Sequence, residues 1–85
     1  MKIWLKKRKS NKTIAQCTVE LEQKEAAEVP DWNEPIGECC HALNLARPII
    51  LSKHVNELIN FGHTVFRPDD FVEKIDFDRL EAELY

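Results

Sequence analysis

Residues 52–71, SKHVNELINFGHTVFRPDDF, decide the fold. They read as a helix, a glycine stop, a short strand and a proline turn. Ser52 is placed to cap the helix, its hydroxyl accepting from an otherwise orphan backbone N–H. Val55, Leu58 and Ile59 recur at helical spacing and give the helix an apolar face. Gly62 follows, where a chain leaving a helix often needs a left-handed residue. Thr64, Val65 and Phe66 are β-branched or aromatic and suit a strand. Pro68 holds Arg67 extended, and Asp69 and Asp70 favour a turn.

Upstream, Arg47-Pro48 breaks any helix, and Ile49, Ile50 and Leu51 form a short apolar run, a strand or a buried connector. Before it, the spacing of Ile36, Cys39, Cys40 and Leu43 predicts a helix over residues 33–44. Its start is capped by Asp31 in a capping box or by Asn33 with Pro35 in the first turn. Glu34, Glu38 and His41 fall on its outer side. Residues 2–23 read as a β-hairpin. Ile3 and Leu5 alternate with Trp4 and Lys6; Ala15, Cys17, Val19 and Leu21 alternate with Gln16, Thr18 and Glu20. Lys9-Ser10-Asn11-Lys12 lies between as the turn. Odd residues then face odd residues, and the outer face carries Lys6 and Arg8 opposite Glu20 and Glu22. Downstream, Phe71, Val72 and Ile75 suit a helical turn. Leu80, Ala82 and Leu84 alternate with Glu81, Glu83 and Tyr85, predicting a last strand that pairs with residues 64–67 or with the hairpin.

The fold class is therefore α+β: a single domain over residues 1–85, with an antiparallel sheet, two short helices on one face and the order β-β-α-α-β-β. The core is expected to draw on Ile3, Leu5, Cys17, Val19, Leu21, Ile36, Cys40, Leu43, Ile50, Leu51, Val55, Leu58, Ile59, Val65, Phe66, Phe71 and Leu80.

Charge is unevenly placed. Residues 1–12 hold six Lys/Arg and no acid, whereas residues 20–38 hold seven Asp/Glu against Lys24. The formal net charge is −3, which disfavours indiscriminate nucleic-acid binding but leaves a basic end free to act locally. No apolar run approaches the ~18 residues of a membrane span. The basic start is not followed by an apolar segment of signal-peptide length. The three cysteines are odd in number, and two are adjacent, which argues against a disulfide framework. A soluble, cytoplasmic protein is the expectation.

The motif Arg47-Pro48-Ile49-Ile50-Leu51, Lys53-His54, Phe61-Gly62, Thr64, Phe66, Pro68-Asp69-Asp70-Phe71, Glu73, Phe77-Asp78 and Leu80-Glu81 resembles a small uncharacterised bacterial domain family. The similarity covers residues 33–83. It implies a compact bacterial cytoplasmic domain and supplies no catalytic residue.

Few side chains suggest chemistry. Cys39-Cys40-His41, with Cys17, His54 and His63, contains ligand types that zinc accepts, but no pair has the usual ligand spacing. Cys39 and Cys40 read instead as core residues on the helical stripe, and His54 and His63 as surface residues. Asp69, Asp70, Glu73, Asp76 and Asp78 lack the glycine and terminal glutamate of a calcium loop. No phosphate loop, GxSxG or HExxH is present, and only Gly37 and Gly62 occur as glycines. No cofactor is expected. Two binding readings remain. The leading one is a non-enzymatic interaction module that takes a protein partner or a second copy of itself, without a membrane. The alternative is nucleic-acid binding by the basic hairpin through Trp4, Lys6, Lys7, Arg8, Lys9 and Lys12. A metal or thiol site at Cys39-Cys40-His41 is the third.

Overall fold

The computed structural model describes residues 1–85. Strands β1 (Lys2–Lys9) and β2 (Lys12–Glu20) form the hairpin; helices α1 (Asn33–Ala42) and α2 (Ser52–Phe61) follow; β3 (His63–Phe66) and β4 (Arg79–Leu84) close the sheet. The four strands are antiparallel in the order β2-β1-β4-β3, so the last strand pairs both with β1 and with β3.

The hairpin turns through Ser10 and Asn11, both at positive φ (52° and 63°). Two left-handed residues match the twist of the flanking strands, and this fixes the register. Ile3 then opposes Val19 and Leu5 opposes Cys17. Between Lys7 and Arg8 the register slips against β2, leaving Ile14 as an extra residue.

Alternation sorts the two faces of the sheet. Ile3, Leu5, Phe66, Leu80 and Ala82 are buried beneath the helices with Ile36, Cys39, Cys40 and Leu58. Helix α1 packs against β1 and β2, and α2 against β3. No helix is long and apolar enough to cross a membrane.

Several expectations are corrected. Helix α1 ends two residues early, because Asn44 adopts a left-handed φ of 59°. Its N-cap is Trp32, and Asp31 Oδ1 instead accepts from the Asn33 backbone N–H at 2.9 Å. Ser52 lies within α2, whose N-cap is Leu51; the cap is completed by His54. Leu51 and Ile59 are 45% and 43% exposed and leave the core, and the connector buries Pro48 rather than Ile49. Val65 sits on the outer sheet face opposite Glu81. Residues 71–75 form no helix; the turn there is the 3-10 segment Pro68–Asp70, and Val72 is exposed. Trp32, Phe77 and Ala82 join the core unforeseen. For Leu51, Ile59 and Val65 the apolar pattern suits an isolated element, but the packing neighbours decide which side is dry.

Candidate functional site

Two surfaces and one buried polar network are the candidates. The first surface is the uncovered face of the sheet. At its centre is Trp4, on the side of β1 opposite Ile3 and Leu5. Its indole N–H donates to Gln16 Oε1 at 2.9 Å. Lys6 Nζ lies 4.2 Å from the indole ring centroid, and the Tyr85 ring meets it edge-on at 6.1 Å. Tyr85 is 60% exposed. An open depression of about 410 Å³ is lined by Trp4, Glu83, Leu84 and Tyr85.

The cations of this face are not free. Lys6 Nζ is 3.6 Å from both Glu81 and Glu83, and Arg8 Nε is 3.9 Å from Glu81. Arg79 Nε donates to Glu81 at 2.9 Å. Burial alone would raise the Glu81 carboxyl, but Arg79, Lys6 and Arg8 outweigh it and hold the pKa below the ordinary carboxylate range. The expected outer-face pairing of Lys6 and Arg8 with Glu20 and Glu22 is therefore corrected. Lys6 faces Gln16 on β2, and β4 supplies the acids.

The six hairpin residues do not form one surface. Trp4, Lys6 and Arg8 share the open face. Lys7 points to the other side, over the Phe77 ring and 3.9 Å from Asp76. Lys9 and Lys12 are exposed at the tip.

The second surface is an acidic groove of about 290 Å³. The end of β2 and the residues after it form one wall, and the start of α1 the other. Glu20, Glu22, Asp31, Glu34 and Glu38 line it.

The buried network joins α2 to the proline turn. His54, expected at the surface, is fully buried against Phe66. Its Nδ1 accepts from the Leu51 backbone N–H at 2.9 Å, which leaves the proton on Nε2. Nε2 lies 3.4 Å from Asp70 Oδ2 without a hydrogen bond to it, and Oδ2 accepts from the Arg67 backbone N–H at 2.9 Å. Burial lowers the His54 pKa, with Asp70 acting against it. Nearby, Thr64 Oγ1 donates to Glu57 at 2.6 Å. These groups close one helix end and one turn. The sequence signal for the network was His54 three residues beyond the N-cap, where a side-chain acceptor can reach back.

The sulfur side chains lie elsewhere. Cys39 Sγ sits 3.7 Å from the Cys17 carbonyl. Burial pushes the Cys40 thiol up to about 11 and the Cys39 thiol higher still. Both remain protonated near neutrality and are poor nucleophiles. His41 is exposed, His54 is held by Asp70, and His63 lies on β3. No group of three or more His, Cys, Asp or Glu side chains is placed to hold a metal ion. The acidic residues after β3 are also dispersed: Asp70 caps its own turn, and Asp78 accepts from the Ser10 backbone N–H at 2.8 Å.

No family model matches the chain, and no curated protein or solved structure does. The resemblance expected for residues 33–83 finds no support in these comparisons, and no residue takes a role from it.

Proposed function

We propose that the chain is a non-enzymatic interaction module that binds another polypeptide through the open face of its sheet. One observation carries the reading. Trp4 is held in place by Gln16, Lys6 and Tyr85 on a face that no helix covers. A fixed aromatic anchor costs little side-chain entropy on binding, and Trp, Tyr and Arg dominate interface hot spots. The charges around it are already paired, so a partner need not be strongly charged. Three unpaired thiols suit a reducing compartment, and the proposal includes a cytoplasmic setting.

The test is affinity capture from the native cell with wild type and Trp4→Ala side by side. A set of proteins retained by wild type and lost from the variant supports the reading, provided the two melt alike. Identical capture by both overturns it.

Nucleic-acid binding is the second reading. It is favoured by exposed Lys9 and Lys12 at the tip, a short way along the hairpin from Trp4. Glu81 and Glu83 among the cations count against it, since they repel a phosphate backbone. A titration with DNA and RNA decides: salt-sensitive affinity that falls when Lys9 and Lys12 become Gln supports it, and no binding at low salt removes it.

A further inference from the structure

We infer that an extended, acidic segment of a partner protein adds as a strand to the free edge of β3, in the groove between that edge and α2. Strand β4 lies between this groove and the strand that carries Trp4, so the inference stands apart from the open-face reading.

Strand β3 ends the sheet, with β4 on one side only. Leu84 N–H donates to the Gly62 carbonyl, and the register places Thr64 opposite Ala82 and Phe66 opposite Leu80. Gly62, Thr64 and Phe66 therefore face β4 with their backbone bonds. His63 and Val65 direct N–H and C=O outward. At Arg67 the edge closes, because its N–H donates to Asp70 Oδ2 and its carbonyl accepts from the Asp70 N–H. The outward groups of His63 and Val65 are a template for a short added strand.

Helix α2 supplies the second wall. Lys53, Glu57 and Phe61 recur at helical spacing on one stripe and line, with the β3 edge, a cavity of about 150 Å³. Thr64 belongs to the buried face of the sheet and Val65 to the open face, yet both line this cavity. The cavity therefore sits on the edge itself, where its occupant meets the β3 backbone. The chain reverses at Gly62, so Phe61 lies beside His63, with ring centroids 6.4 Å apart. Lys53 stands about 12 Å back along α2, and Arg67 about 13 Å forward along β3. Both cations thus fall at the same end of the groove.

Charge names the occupant. Neither Lys53 nor Arg67 takes part in an ion pair within the chain. Glu57, the one acid of the lining, is turned onto Thr64, whose hydroxyl donates to Oε1 at 2.6 Å. Glu81 and Glu83, opposite Val65 and His63 on β4, are matched by Arg79, Lys6 and Arg8. A residue of the added strand opposite Phe66 shares its face and directs its side chain to the helix side, at the Lys53 end. A carboxylate there finds a cation with no other partner.

NMR titration of the folded chain with a capped peptide of alternating glutamate and threonine, and with its lysine counterpart, tests the inference at low and high salt. The acidic peptide should shift the backbone amide signals of His63 and Val65, bind about tenfold tighter than the basic one, and weaken as salt rises. Lys53→Gln and Arg67→Gln, both at exposed positions, should each lower its affinity several-fold. The indole N–H signal of Trp4 should stay in place. His63 and Val65 signals that do not move overturn the inference. So does equal affinity for the two peptides, or undiminished affinity in the double variant. Shifts confined to Trp4 and Tyr85 would put the peptide on the open face, and an oligonucleotide that moves the His63 and Val65 signals where the acidic peptide does not would make the groove a phosphate site. Either result also overturns it.

Discussion

His54 shows how a single side chain sets a local structure. A histidine in the first turn of a helix looks solvated in sequence, because nothing in the chain announces that the turn at Pro68–Asp70 folds over it. In the structure its imidazole caps α2 and leans on Asp70, and burial lowers its pKa from the ordinary 6.5. A lowered pKa means that the folded chain binds fewer protons than the unfolded chain in weak acid. The stabilising contribution is complete above pH 6.5 and declines as the pH falls below it. Lys53 disfavours the charged imidazole, while Asp70 and Glu57 favour it. The melting midpoint of wild type should fall between about pH 7 and 5.5. His54→Gln, which keeps an acceptor for the Leu51 N–H, should be flat across that window. An equal slope in both proteins would place the titration elsewhere. The acid loss expected from Glu81, whose pKa is also depressed, lies lower, below its ordinary 4.5.

At the scale of elements, local chemistry was legible wherever it acted alone. The Ser10-Asn11 turn, the α1 stripe and the alternation of β4 all follow from short-range pattern, and the structure has each of them. The last strand was expected against residues 64–67 or against the hairpin, and it pairs with both, but the side-chain partners this brings together were not legible. Lys6 and Arg8 find their acids on β4, more than seventy residues away in the chain, and a single sequence carries no signal for that pairing. Solvation of individual apolar residues was also hidden. Ile59 and Leu58 are neighbours on α2, yet one is 43% and the other 1% exposed, a difference made by β3 packing beneath. Gly62 was read correctly as the stop: it is left-handed at φ 74°, and its N–H donates to the Leu58 carbonyl. A Cβ there would meet nothing within 4 Å, so substitution costs backbone strain alone. Gly62→Ala should destabilise by about 1 kcal/mol in chemical denaturation, and Gly62→Asn by less. A loss of several kcal/mol would mean that the site is sterically crowded.

For the whole molecule, the distinctive groups divide cleanly by place. Cys39, Cys40, His54 and Asp70 are buried and complete the fold, whereas Trp4, Tyr85 and the paired charges stand on a sheet face with no cover. The candidate site was only half legible. Trp4, Lys6 and Arg8 were visible as a group in the hairpin, but Tyr85, Glu81 and Glu83 join them through the β1–β4 pairing. That pairing turns a basic ribbon into a charge-balanced aromatic face. Oxidative footprinting of the chain, purified and in fresh extract of its own cell, tests the proposed docking role of that face most directly. The account predicts that Trp4 and Tyr85 are protected in the extract while Val72, exposed away from the face, reacts equally in both. Equal oxidation of Trp4 and Tyr85 in the two settings would contradict it.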